Sequence, residues 1–404
     1  MGGRAGAGVV AFLSTGLPDP TYGGSGIFNY LVPKFLLERG VRVRAWFRYA
    51  EWFAGSTRPR YLEELERLGL EAEHVPEPPV TASYGLAYVE ASHQAALSRE
   101  VVEEAGEFLE RADALVSLDL GWALALAPVD RPSLAVLGDP QERHLATAFR
   151  LEPLSRGSWR QWLQIQSLRG VWPRLAPRLA AYDGERRILG HWAPQHAAEL
   201  RALGIACRHL QWFTPDPGRV ERRPQREPLV CLHVGSLATT ASRRMLDYWR
   251  DELFPALAAL PFPVEIRFVG APGAVLEERP EWPNLRLRFL GHLEQVAGEF
   301  ARAAAFLSPM KHPTGIRTRV VTALSHGVPV IADPTTAPGL PELEDGRDVV
   351  YAARPEAVAA ALRRVRDDPE WAETIGAAGR STWERHFDPA RNVPRLLEPL
   401  GLEL

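Results

Sequence analysis

Short β-rich runs alternate with helical patterns along the whole chain, and this alternation constrains the fold more than any other feature. In the first half the runs are Val9–Leu13, Val41–Phe47, Ala114–Leu118, Leu134–Gly138, Arg187–Leu189 and Cys207–Leu210. In the second they are Leu229–Gly235, Val264–Gly270, Leu285–Gly291, Ala304–Ser308 and Val328–Ala332. Helical periodicity fills the intervals, as in IFNYLVPKFLLERG, where Ile27, Leu31, Phe35 and Leu36 share one face and Gly40 marks the end. Repeated strand–helix units predict an α/β protein whose parallel sheets are covered by helices on both faces. Between the two series lies QWFTPDPGRVERRPQREP, Gln211–Pro228, rich in proline and charge and without periodicity. The expected organisation is therefore two Rossmann-like, doubly wound domains facing one cleft. They span 1–213 and 229–385, with a linker at 214–228 and a C-terminal helix at 386–404 packing back on the first domain. Ligands of such folds sit at the carboxyl ends of strands.

Composition narrows the function. Apolar residues make up 46% and charged residues 24% of the 404, which is ordinary for a soluble globular protein. A net charge of −3 argues against a general nucleic-acid binder. Two cysteines, Cys207 and Cys231, are too few for a disulfide framework or a CxxC metal site. No apolar run approaches the roughly 18–20 residues of a membrane span. The opening MGGRAGAGVVAFLSTGL reads as a first core strand rather than a signal peptide, because a Gly/Pro loop and a helix follow at once. The cytoplasm fits these features, with a peripheral position at the inner membrane face left open. No oligomer signal stands out.

Two junctions carry glycine and cations together. In KHPTGIRTRVVTALSHGVPVIAD the sequence predicts a helix with Arg317 and Arg319 in its first turn and Lys311 just before it. A helix N-terminus is already positive, so each cation there is unfavourable by about 0.3–1 kcal/mol. In LHVGSLATTASRRML, Gly235 and Ser236 end a strand and Arg243 and Arg244 open a helix. A multivalent anion such as a diphosphate would resolve the conflict by charge-assisted bonds to Lys311, Arg317 and Arg243. It would also be stabilised as a leaving group. Arg319 is expected to face solvent. A third loop, YGGSGIFNYL, sets Gly23, Gly24 and Gly26 before the first helix; it reads equally as an anion site and as a tight turn.

These residues resemble a known family. TGIRTRVVTALSHGVPVIADPTTAPGLPELEDG is similar to the donor-site signature of GT-B glycosyltransferases, especially the retaining group called family 4. YGGSGIFNYLVPKFLLERGVRVRAW and FLGHLEQVAGEFARAAAFLSP resemble two further segments of that family. The resemblance implies a nucleotide sugar held mainly by the C-terminal domain, through Gly235, Ser236, Arg243, Lys311, Gly315, Ile316, Arg317, Thr318 and Thr322, with His292 near the base. It implies transfer to a glycan, lipid-linked or small-molecule acceptor held by the N-terminal domain, in glycan or glycoconjugate assembly of a bacterial kind. No cofactor is implied, since the nucleotide sugar is a substrate. The signature departs from the family at Thr314 and Thr322, where two glutamates are usual. No Asp-x-Asp pair occurs, so Arg and Lys rather than a metal are expected to carry the positive charge.

On the acceptor side, the family often places a histidine after the fourth strand. Here that junction is LAVLGDPQERHL, which offers Asp139 as a sugar-positioning or basic carboxylate and His144 as a further contact. The same Asp-Pro reads equally as a turn starter. The segment Arg156–Arg187 carries seven arginines and three tryptophans, Trp159, Trp162 and Trp172. Trp with Arg suits an acceptor sugar, an anionic acceptor or a membrane interface, whereas an ordinary helix pair with Trp in its core fits too. Two alternatives stand beside the transferase: an inactive homologue that binds sugar nucleotide or a partner enzyme, and a sugar-nucleotide 2-epimerase.

Overall fold

The structure, a computed structural model, describes residues 8–21, 23–49, 58–76, 98–138, 172–235, 237, 240–270, 282–311 and 315–402. Two compact units are present: Met1–Trp212 with Pro389–Leu404, and Phe213–Asp388.

The first unit runs β1 (Val9–Thr15), α1 (Gly23–Glu38), β2 (Arg42–Tyr49), α2 (Arg58–Arg67), β3 (Glu71–Pro76), α3 (Gly106–Arg111), β4 (Ala114–Leu118), α4 (Leu120–Leu126), β5 (Ser133–Leu137), α5 (Trp172–Leu179), β6 (Arg187–His191), α6 (Pro194–Ala202) and β7 (Cys207–His209). The strands form one parallel sheet in the order β3-β2-β1-β4-β5-β6-β7. Both faces of the central strands are buried, which is why β1, β4 and β5 read as near-continuous apolar runs, interrupted only by serine and threonine, and not as alternating ones. The edge strand β3 escapes a hydrophobic reading. Its Glu71 and Glu73 meet Arg42 and Arg44 of β2 across the pair, so it is polar where the other strands are apolar.

The second unit runs β8 (Leu229–Val234), α7 (Thr240–Tyr248), a π-helical turn at Trp249–Leu253, α8 (Phe254–Ala258), β9 (Val264–Val269), β10 (Leu285–Gly291), α9 (Ala297–Arg302), β11 (Ala305–Ser308), α10 (Thr318–Ser325), β12 (Val330–Ala332), β13 (Val350–Tyr351), α11 (Pro355–Asp367) and α12 (Pro369–His386). Its parallel sheet has the order β10-β9-β8-β11-β12-β13. A core of Trp249, Phe254, Phe268, Leu307, Ile331 and Leu362 fills the unit. The two-residue β13 is too short for any periodicity to announce it.

The segment expected to be a linker, 214–228, is laid along the second unit. Arg222 donates to the carbonyls of Gly327 and Ala303 at 2.9 and 2.8 Å, and the amides of Arg223 and Gln225 bond to Ala301 and Arg302. After α12, α13 (Pro389–Leu397) returns to the first unit and packs on α1. Arg186 holds the end of the chain through the carbonyl of Leu400 at 2.8 Å. Among the described residues no helix is long and apolar enough to cross a membrane.

Candidate functional site

In each sheet the strand order reverses once: between β1 and β4 in the first unit, and between β8 and β11 in the second. Such a reversal opens a crevice at the carboxyl ends of the strands, where doubly wound folds bind ligands. In the second unit Gly235 follows β8 and α10 follows β11, so the glycine loop and the cationic helix start both belong to this crevice.

Arg317 is the N-cap of α10, in a non-helical conformation (φ −90°, ψ 81°), and Arg319 lies in the first turn. Arg319 does not face solvent, contrary to the expectation from sequence. Its guanidinium turns inwards and donates from Nη1 to Nε2 of His233 at 2.8 Å. It lies directly beneath Gly235: a β-carbon added there would stand 2.8 Å from Cζ of Arg319. Gly235 also has φ +138°, which side chains rarely adopt. The backbone conformation is what requires glycine here, while the guanidinium, the far end of a flexible side chain, could shift for a larger residue.

His233, at the end of β8, is fully buried among Trp249, Phe268 and Phe306. Its Nδ1 lies 2.8 Å from the carbonyl of Leu307, which can only accept, so Nδ1 carries the proton and Nε2 offers a lone pair to Arg319. Burial first, and then the charges of Arg319 and Arg317, push its pKa down to about 3. Burial lowers that of Arg319 to about 10, which leaves the guanidinium charged at neutral pH. A neutral histidine thus fixes a charged arginine without neutralising it. Nothing in the sequence separates His233 from an ordinary core residue, and the pair was not foreseen.

Other expected residues have different surroundings. Lys311 sits over the ring of Tyr248 at 3.9 Å, with its Nζ 3.6 Å from the Glu252 carboxylate. Burial, then the charges of Glu252, Asp333 and Glu356, raise the Tyr248 pKa to about 12. Lys311 therefore already has a countercharge. Gly315 adopts φ +67°, and Gly339 packs so closely on it that an added β-carbon would come within 2.5 Å of the Gly315 carbonyl oxygen. The loop carrying Gly315 and Ile316 is thereby pinned to the turn Pro334–Gly339, itself capped by Asp333 through Thr335. Thr322 donates its hydroxyl to the carbonyl of Thr318 at 3.1 Å. His292 is exposed beyond β10. Ser236, Thr314, Asp139, His144, Trp159 and Trp162 lie outside the described residues, as does the side chain of Arg243.

In the first unit, the glycines of the β1–α1 loop have local structural reasons. Gly23 opens α1 with φ +83°, Gly24 is next to it, and a β-carbon on Gly26 would overlap the Asp19 carbonyl oxygen at 2.0 Å. Asn29 of α1 holds the loop, donating to the carbonyls of Gly16 and Thr15 at 3.0 and 3.3 Å and accepting from the Ser14 hydroxyl at 2.5 Å.

His326, at the end of α10, stacks on Phe300 at 4.0 Å, and burial chiefly lowers its pKa to about 4. His233 and His326 thus stay neutral in the fold at pH values where an unfolded histidine, near 6.5, takes up a proton. The unfolded chain binds more protons over this interval, so stability falls as pH drops from about 6.5 towards 4. Each histidine contributes a slope of up to about 1.4 kcal/mol per pH unit. Urea unfolding of His326→Gln should show a visibly shallower pH dependence than wild type between pH 7 and 5. An identical slope would refute the assignment.

Comparison with known proteins adds to this geometry. Residues 243–398 match the family model described as glycosyl transferase-like. No curated protein matches the chain. Among solved structures, Anabaena HepE in complex with UDP and glucose superposes with a TM-score of 0.64, at 16% identity, over 98% of this chain and 99% of that one. A sucrose-phosphate synthase from Thermosynechococcus elongatus gives 0.63 at 15% identity, over 96% and 97%. A glycosyltransferase from Rickettsia africae gives 0.62 at 12% identity, over 98% of each chain.

The fold is GT-B. The glycosyl transferase-like match begins within α7 and ends just past α13, so it takes in the strand reversal of the second GT-B unit except for β8 and Gly235. The second unit from residue 243 on thus matches a glycosyl transferase-like family, and the whole chain shares the fold of solved glycosyltransferases.

Proposed function

We propose that this GT-B transferase moves a sugar from a nucleotide-sugar donor to an acceptor hydroxyl in glycan or glycoconjugate assembly, without a metal and with retention at the anomeric carbon. The observation that carries the reading is the paired charge of Arg317 and Arg319 at the start of α10, where the strand order reverses, beside a loop in which only glycine fits. Cations at a helix start gain stability when a bound anion lies between them, because charge-assisted bonds outweigh the unfavourable dipole. Arg317 would meet the diphosphate, and Arg319 would supply charge from beneath the loop. Lys311, Gly315, Ile316 and Thr318 border the same strand ends. HepE, of the same fold, was crystallised with UDP and glucose, so UDP and UDP-glucose are the first probes. A ligand that binds only the folded state raises its stability, so UDP should raise the melting temperature. A panel of nucleoside diphosphates that leaves it unmoved would overturn the reading.

Two finer points have their own tests. With organic cations in place, transfer should survive EDTA; activity that is abolished by EDTA and restored by magnesium or manganese would contradict this. Retention follows if the departing phosphate accepts the acceptor proton on the leaving-group face, so that no protein base is needed. Inversion needs a base within hydrogen-bond reach of the acceptor hydroxyl, and Asp139 is the candidate. An inverted product by NMR, together with a loss above about a thousand-fold in Asp139→Asn, would exchange the one mechanism for the other.

A further inference from the structure

At the strand reversal of the second unit, one guanidinium lacks a partner that arginines elsewhere in the chain have. Arg44, Arg223 and Arg347 each turn the Nε and Nη2 edge onto a carboxylate, that of Glu73, Glu221 and Asp348 respectively. Among the described residues Arg319 makes no such ion pair, and the bond from Nη1 to His233 Nε2 is the one its guanidinium donates. The residue is half-buried, so a ligand can still reach it. Its flat face lies against Gly235. A β-carbon there would stand 2.8 Å from Cζ, 2.9 Å from Nη2 and 3.2 Å from Nη1, so the central carbon is nearest, as in a face-on approach. With one face covered by Gly235 and Nη1 taken by His233, the Nε and Nη2 edge is left over. That edge is the fork that matches two oxygens of a phosphate.

His233 sets this orientation. Its Nδ1 donates to the Leu307 carbonyl at 2.8 Å, and its ring is packed among Trp249, Phe268 and Phe306. The ring therefore has little freedom to turn, and its tautomer leaves Nε2 an acceptor. A carboxylate in its place would hold Arg319 equally well but would cancel the charge. The imidazole holds the guanidinium and leaves its charge for an anion.

We propose that His233 is a positioning residue of the donor site: by accepting from Nη1 it aims the Nε and Nη2 edge of Arg319 at two oxygens of the donor's diphosphate. This rests on the donor reading above and adds the residue that orients its charge. The test uses the full chain, titrations with UDP and two replacements. The amide of His233→Gln can donate to Leu307 and accept from Arg319 at once, whereas His233→Leu can do neither. His233→Leu should bind UDP at least about ten-fold more weakly than wild type, the equivalent of one lost charge-assisted bond, and His233→Gln within about three-fold of it. In an Arg319→Met background His233→Leu should cost nothing further, because His233 acts only through Arg319. A loss that persists in that background makes His233 a packing residue and overturns the proposal, as does a His233→Gln protein no better than His233→Leu. On wild type alone, nitrogen-15 NMR of the imidazole at pH 7 should show a proton on Nδ1 and none on Nε2. A protonated Nε2 overturns the proposal even where the variants fail to fold. A wild type that binds no nucleoside diphosphate overturns the donor reading and this proposal together, while UDP bound equally by wild type and His233→Leu overturns the proposal alone.

Discussion

Arg317→Ala is expected to weaken UDP binding by roughly ten- to a hundred-fold, the equivalent of one lost charge-assisted bond at about 1.5–3 kcal/mol. The residue caps α10 from a non-helical conformation, and its side chain makes no cap bond, so truncation should cost the helix little. Its charge, after that of Arg319, acts on His233. Titration calorimetry with UDP at fixed salt measures the effect. Lys311→Ala should cost clearly less, because Lys311 already faces Glu252 and the Tyr248 ring. Equal losses in the two variants would contradict the placement of the diphosphate beside Arg317, and no loss in either would remove the diphosphate site altogether.

Gly235→Val is expected to abolish UDP binding and to destabilise the fold by about 2–4 kcal/mol. A branched residue at φ +138° is strained by about 1–3 kcal/mol whatever the space around it. Its β-carbon also meets the Arg319 guanidinium at 2.8 Å, so one of the two must move. If Arg319 moves, it leaves His233, and a buried charge loses its acceptor. Arg319→Met in the same background removes the collision and keeps the backbone strain. The double variant should therefore recover part of the stability without recovering UDP affinity. Denaturant midpoints for the single and double variants, read beside UDP titrations, separate the two contributions. A Gly235→Val protein that binds UDP like wild type would show that the loop does not approach the ligand.

The architecture was readable because its cause is local. A strand buried on both faces is mostly apolar, so β1, β4, β5, β8 and β11 are visible as runs; β9 is buried as well, with Glu265 and Arg267 paired to each other inside it. Crossover helices announce themselves by a 3.6-residue period. The two strands that went unread fail this logic for physical reasons: β3 is a charged edge strand and β13 is two residues long. The cations of the helix start were legible too, because Arg317 and Arg319 conflict with the dipole of the helix they open.

What each of those cations touches depended on residues far apart in the chain. Arg319 finds His233, 86 positions away, because β8 and β11 are neighbours at the reversal of the sheet. Sequence periodicity assigns a side chain to a face of its own helix, but it carries no information about which strand end lies opposite. The same holds for Asp119, whose sequence neighbourhood, VSLDLGW, reads as an ordinary helix cap. Only the folded backbone shows that this cap stands in a conformation suited to glycine, with Arg48 brought to it by the next-but-one strand. Local chemistry determined the strands, the helices and the cationic loops; the order of the strands decided which of their ends would meet.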